Sequence, residues 1–555
     1  MSVPVPAIKP ALPRRWPRPR FRLPHPLLIV SLLAALAVGV PVLGVLSNLV
    51  GAGAGSGSFA HLWSTVLLEY LGNSLLIMAI VGVLAAVIGI GCAWLVAAWD
   101  FPGKRVFEWA LVLPLAMPSY VVAYAYTDFL QFSGPLQTGL RALTGWQARQ
   151  YWFPEIRSAG GAGLLFALVL YPYVYLLVRT AFVERSPRMW DAARTLGAGP
   201  WASFFQVSLP LARPAAAAGL ALVLMETLAD YGAVAYFGVP TLTTGIYKSW
   251  YAFSDRTGAA QIAAVLLVSV TALMYVEHRS RGRARYYAVG ARGGRRAQRL
   301  GAASGWMATL FCALPVLLGF LLPLAILVRL MLQEESLNFS SRYLGWLQNS
   351  IGIAAVTALV AVLICLLLAY AGRVSRSPLQ NVANRVISMG YALPGAVIAV
   401  GILIPLSRLD DWMAGQGMHF LLAGSLVALV YAYLVRFLAV SYQGVQAGLA
   451  RITPAMDASA RSLGHGLGSM LLRVHTPLLW RSVLTAALLV FVDVIKELPA
   501  TLTIRPFNFD TLAVITFQLA SDERLAEAAL PAFTIVLIAF VPVLALARAI
   551  ARHHR

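Results

Sequence analysis

Apolar runs long enough to form membrane-crossing helices recur along the chain at roughly 27–49, 73–98, 107–131, 161–183, 214–236 and 260–276, and again at 306–332, 349–372, 385–407, 420–445, 483–505 and 529–548. A helix needs about 20 apolar residues to cross ~30 Å of hydrocarbon. The pattern therefore predicts twelve transmembrane helices in two sets of six. Polar stretches divide the chain into a basic N-terminal tail (1–26), a first half (27–276), an arginine-rich linker (277–302), a second half (303–548) and a basic C-terminal tail (549–555). The tail is followed by an apolar run long enough to span. That favours a retained start-transfer anchor over a cleaved signal peptide.

The two sets are copies of one another. Asn73–Ser74 matches Asn349–Ser350 and Met117–Pro118 matches Leu393–Pro394, while a polar loop from Asp191 to Pro214 matches Ala458 to Arg481. In that loop Ala193 pairs with Ala460, Gly197 with Gly464 and Pro210 with Pro477, at a constant offset of 267 positions. Equal numbers of spans in equal orientation make this a parallel repeat, with a pseudo-twofold axis along the membrane normal. The fold class expected is an all-α polytopic membrane protein of two homologous six-helix halves.

Composition agrees with the pattern: of 555 residues, 59% are hydrophobic and 12% charged, against about a quarter charged in soluble domains. The net charge of +21 falls at the ends of spans, where basic residues mark the cytoplasmic side. It speaks for a lipid bilayer as partner and not for nucleic acid. The bias places both termini, the linker and both repeated loops in the cytoplasm, with Asp410 and Asp411 outside. The outer loop around Arg141, Arg149 and Arg157 goes against the bias and suggests a short amphipathic element. Cys92, Cys312 and Cys365 lie far apart in the sequence, each within an apolar run, and are read as packing residues.

Each repeated loop reads as a short helix, a glycine bend, and a second short amphipathic helix before the proline that opens the next span. The pattern resembles the EAA loop of ABC importer permeases, in which Glu-Ala-Ala is followed by a glycine four residues on and by a later Leu-Pro. Asp191, Ala192, Ala193, Gly197, Leu209 and Pro210 fit it, with Asp for Glu. In the second copy Ala460, Gly464 and Pro477 fit, but Ala458 stands where the acid belongs, and Asp457 lies one position earlier. The resemblance implies that each loop docks on one of two ATPase subunits, and that the first copy makes the stronger polar contact. The chain has no Gly-x-x-x-x-Gly-Lys-Ser/Thr phosphate loop. ATP and magnesium are thus expected on the partner subunits, with no cofactor on this chain and no enzymatic activity of its own.

After each loop comes a span holding acids: Glu226 and Asp230 with Tyr231 beside them, and Asp493 and Glu497 at the same repeat positions. Spacing of i, i+4 would put each pair on one helix face. At ~1.5 Å per residue, Glu226 lies about 18 Å beyond Pro214, where an acid is costly. Two readings fit: a water-filled translocation pathway, or structural pairing, with Lys496 neutralising Asp493 or Glu497. The segments ETLADYGAVAYFGVPTLTTGIYKSWY and KELPATLTIRPFNFDTLAVITFQLASDERLAEAALP resemble the fused ferric-iron permeases. That resemblance covers the whole chain. It implies a bacterial inner-membrane importer of ferric iron fed by a periplasmic ferric-iron-binding protein. Hard trivalent cations favour carboxylate oxygen, so Glu226, Asp230, Asp493 and Glu497 are candidate transient metal ligands. The same acids would suit thiamine or a polyamine, and phosphonate import uses the same architecture. A proton-coupled secondary transporter is the rival class. Tyr171, Tyr173 and Tyr175 read as an interfacial belt, and Asp255 and Asp522 as matched helix caps on the outer side.

Overall fold

The computed structural model describes residues 26–51, 58–147, 150–183, 195, 197, 199–281, 298–333, 340–375, 377–418 and 421–552. Among these, ten helices are long and apolar enough to cross a membrane, and two bent helix pairs bring the number to twelve if each pair is one span. Strand pairing among the described residues is confined to Trp99–Asp100 beside Gln298–Arg299.

The third span of each half is broken, where the hydrophobic pattern predicts a single rod. Lys104–Ala116 meets Ser119–Thr144 at 92°, and Pro378–Ala392 meets Gly395–Gly415 at 114°. The breaks fall at the repeated Met117–Pro118 and Leu393–Pro394. Proline pushes its predecessor out of the helical region, and Met117 (ψ 118°) and Leu393 (ψ 123°) are both extended. Proline inside an apolar run kinks or breaks a helix, and at these two positions it breaks the span outright. The amphipathic element expected in the outer loop is the helix Pro135–Thr144.

The repeated loops also differ from expectation. The second short helix does not exist as a separate element. In the first copy Pro200–Ala229 is one long helix, and in the second so is Gly468–Ile495. Each contains a π-turn at matched positions, Phe204–Ser208 and Leu471–His475, immediately before Leu209–Pro210 and Thr476–Pro477. Proline cannot donate the usual backbone bond and its ring crowds the preceding turn. The π-turn inserts a residue there and lets the helix continue: Leu209 N–H reaches Phe204 O, and Thr476 N–H reaches Leu471 O.

The first helices of the two halves are exchanged in space. The first helix, Pro26–Gly51, packs on spans of the second half: Gln380 Nε2 donates to Ser31 Oγ at 2.8 Å and Tyr431 OH to Ala37 O at 2.5 Å. The first helix of the second half reciprocates, with Thr309 Oγ1 donating to Pro102 O at 2.8 Å, Tyr126 OH to Leu318 O, and Arg329 paired with Asp128. Cys92 and Cys312, far apart in the sequence, are neighbours across this contact, and both are free thiols.

The Asn-Ser repeat has a defined job. Asn73 Nδ2 donates to Pro240 O at 2.9 Å and Ser74 Oγ accepts from Leu242 N, while Asn349 Nδ2 donates to Asp510 O at 3.0 Å and Ser350 Oγ accepts from Leu512 N. Each pair pins the start of a helix capped by a threonine, Thr241 or Thr511. The equivalence of Pro240 with Asp510 moves the repeat offset by three residues past the fifth span. Asp255 therefore does not correspond to Asp522. Asp255 caps a helix start by accepting from Gly258 N at 2.8 Å, whereas Asp522 sits at a helix C-terminus. The tyrosine belt is also overturned: Tyr171 and Tyr175 are fully buried inside the protein and present no face to lipid headgroups.

Candidate functional site

The fifth span of each half stops in mid-course. Leu209–Ala229 gives way at Asp230, whose backbone is extended (ψ 137°), and Gly232–Tyr236 follows as a short separate helix; Thr476–Ile495 gives way to Pro499–Ile504 in the same manner. Asp230 and Glu497 cap the two short helices. Asp230 accepts from Ala233 N at 2.9 Å and from Ser119 Oγ. Glu497 accepts from Ala500 N and Thr501 N, both at 3.0 Å, and from Thr501 Oγ1 at 2.7 Å. The expected single helix face for Glu226 with Asp230, and for Asp493 with Glu497, is thus broken between the two members of each pair. Carboxylate capping satisfies N–H groups that the interrupted helix leaves free.

A cavity of 130 Å³ lies between the halves, lined by all four acids. Its walls are built from repeat-related pairs: Leu115 and Tyr391, Val169 and Arg436, Leu170 and Phe437, Glu226 and Asp493, Ala229 and Lys496, Asp230 and Glu497. Such pairing places the cavity on the pseudo-twofold axis. The acids are symmetric and the bases are not, since Arg436 and Lys496 face Val169 and Ala229 across the axis. Tyr173 also lines the cavity, whereas Tyr231 does not line it and stacks on Tyr247 with ring centroids 3.8 Å apart.

The cations engage three of the acids. Arg436 reaches Glu226 of the first half at 3.6 Å and Glu497 of the second at 3.3 Å, and Lys496 Nζ lies 2.8 Å from Asp493 Oδ1. Gly395, just past the Pro394 break, makes room for this group: a Cβ there would come within 2.8 Å of Glu497 Oε1 and 3.1 Å of Arg436 Nη1. The four acids expected to form a metal site are therefore divided among internal partners. Among the described residues no three His, Cys, Asp or Glu side chains are placed to hold a metal ion. Arg436 was not singled out by the sequence reading. The rule that flags an acid in an apolar span applies equally to the arginine in LVALVYAYLVRFLAV.

Of the loop residues, Asp191, Ala192 and Ala193 lie outside the described residues, and Gly197 adopts φ 83°. The second copy is a helix, Pro454–Ser462, closed by Gly464 at φ 82°. Both glycines occupy the left-handed region that ends a helix and that other residues avoid. Leu209, Pro210 and Pro477 lie inside the long helices described above, directly after the π-turns. Ala458 is exposed, and Ala460 is buried against Tyr370 and Met470. Asp457 is engaged within the chain: Arg373 Nε donates to it at 2.7 Å and His475 Nε2 lies 2.9 Å away. Partial burial pushes the Asp457 carboxyl up, but hydrogen bonds from Arg373 and His475 outweigh this and hold it below its usual range.

The profile of the family described as "binding-protein-dependent transport system inner membrane component" matches residues 85–279. Over 534 residues, 94% of this chain and 98% of the relative, the chain is 25% identical to the Fe(3+)-transport system permease protein FbpB 2 of Haemophilus influenzae. It is 32% identical over 219 residues to the molybdenum transport system permease protein ModB of Escherichia coli, covering 39% of this chain and 89% of ModB. The sulfate transport system permease protein CysT of E. coli is 27% identical over 208 residues, 36% of this chain and 72% of CysT. A multi-pass helical chain of two fused halves, aligned with two such permeases over 98% and 89% of their lengths, belongs to the binding-protein-dependent transport system inner membrane component family, the non-enzymatic permease subunits of ABC importers.

Proposed function

We propose that this chain is the permease subunit of a bacterial inner-membrane ferric-iron importer, with both termini and both repeated loops on the cytoplasmic side. A periplasmic ferric-iron-binding protein delivers the cargo, and two ATPase subunits carrying ATP and magnesium dock on the loops. The observation that carries this reading is the axial cavity with repeat-related carboxylates, in a chain aligned end to end with an Fe(3+)-transport permease. Closure of the ATPases draws the loops together and the halves rock about the axis. The Glu226–Arg436–Glu497 bridge joins the two halves, so parting them breaks it and releases carboxylate oxygens toward the cargo. Hard oxygen donors suit a ferric ion, and returning cations displace it, so that binding stays weak enough for release.

A second reading is import of an oxyanion, favoured by Arg436 and Lys496 in the cavity and by the molybdenum and sulfate relatives. Proteoliposomes holding this chain with its ATPase separate the two. Ferric iron presented on the binding protein is expected to accumulate with ATP, and molybdate and sulfate are not. Oxyanion accumulation without iron uptake would replace the first reading by the second. Uptake driven by a proton gradient in the absence of the ATPase would rule out both.

A further inference from the structure

The polar group under the second loop has a form the transport mechanism above does not use. Arg373 stands at the end of the helix Ser341–Val374. Its Nε holds Asp457 at 2.7 Å, and its Nη1 and Nη2 donate to Leu449 O at 2.9 Å and Ile452 O at 2.8 Å, where the fourth span of this half ends. The other Asp457 oxygen meets His475, which is fully buried, with Tyr370 edge-on at 5.6 Å between ring centroids. His475 closes the π-turn in Gly468–Ile495, the same unbroken helix that carries Asp493 into the cavity. At ~1.5 Å per residue the two lie about 27 Å apart on one rod. The outward face of Pro454–Ser462 and its following turn is different in kind: Ala458 is exposed, as are Met456 (47%) and Leu463 (80%).

We infer that Arg373, Asp457 and His475 form an internal strut, which carries movement of the second loop helix into the spanning helix that lines the cavity, while Met456, Ala458 and Leu463 meet the ATPase. Asp457 is then a positioning residue acting inside the permease. The repeat supports this division. The positions matching Arg373, Asp457 and His475 in the first half are Ala97, Trp190 and Ser208, so the first half lacks the strut entirely. There the residue matching Tyr370 is Trp94, which packs on Trp201 and Phe204 at 5.3 and 4.7 Å between centroids. Among the described residues, ions join loop to spans in the second half, and aromatic packing stands at the matching place in the first. A partly buried charge pair fixed at both ends by further hydrogen bonds holds one geometry, and it suits a rigid link better than a docking surface that must form and release.

The inference rests on Pro454–Ser462 being an ATPase contact, and the experiment separates the two. In the reconstituted transporter with its ATPase and binding protein, Arg373→Gln should leave ATPase-subunit affinity within about twofold of wild type while uptake falls by about tenfold, hydrolysis running on uncoupled. The double variant Arg373→Gln/Asp457→Asn leaves no unpaired charge behind. It should show the same reduced uptake, because the strut is already cut, and it decides the matter if the single variant does not assemble. Wild-type uptake by the double variant would overturn the strut. So would loss of ATPase affinity on Asp457→Asn alone, which would make Asp457 a direct contact. Leu463→Arg should release the ATPase. Unchanged affinity there would instead remove the loop helix as the contact, whatever the strut variants do.

Discussion

Glu497→Ala is expected to destabilise the protein far more than Asp230→Ala, although the two acids occupy equivalent repeat positions. Glu497 is 5% exposed, caps Pro499–Ile504 through two backbone N–H groups and Thr501 Oγ1, and pairs with Arg436. Its removal uncaps a helix and leaves Arg436 with Glu226 alone at 3.6 Å. Breaking a buried ion pair from one side costs about 3–5 kcal/mol. Asp230 has the cap and Ser119, and among the described residues no cation pairs with it; a lost cap costs about 1 kcal/mol. Thermal unfolding of the purified variants in detergent checks this. Equal falls in midpoint would contradict the asymmetric role given to Arg436.

Neutralising the other equivalent pair acts on transport. Glu226→Gln with Asp493→Asn removes the excess negative charge of the cavity, leaving two carboxylates against two cations. Lys496 and Arg436 each lose a partner, so the pathway turns from cation-attracting to neutral with two underemployed cations. If each carboxylate contributes about 1.4 kcal/mol to cargo affinity in the pathway, each neutralisation costs about tenfold. Uptake should therefore fall by between one and two orders of magnitude. ATPase activity stimulated by the loaded binding protein should persist, since neither residue belongs to the loops. Undiminished iron uptake would remove these acids from the pathway.

The sequence made the spans legible because membrane crossing is a matter of length and apolarity, and the two loops because glycine and proline mark them twice. The repeat also led directly to the cavity, since Glu226 and Asp493 face one another across its axis. What escaped has physical reasons. Periodicity says that Pro26–Gly51 is apolar but not which half it covers, and its exchange onto the second half depends on contacts such as Tyr431 with Ala37. The helix break between Glu226 and Asp230 has no proline beside it in the first half, where Gly232 stands at the place of Pro499, so the i, i+4 spacing suggests a false common face. Arg436 was lost among arginines credited to the cytoplasmic bias, although it lies inside a span. Asp457 resembled a displaced loop acid because sequence cannot show that Arg373 and His475 already hold it.

The axial cavity is expected to open alternately to the two sides of the membrane as the ATPases work. Val169, which lines it opposite Arg436, can carry the test as Val169→Cys in a chain whose Cys92, Cys312 and Cys365 are replaced by serine. A membrane-impermeant thiol reagent is applied from one side at a time to the reconstituted complex, nucleotide-free and then vanadate-trapped. The account predicts labelling from the cytoplasmic side alone without nucleotide and from the periplasmic side alone when trapped. Labelling from the same side in both states, or from neither side in either, would contradict it.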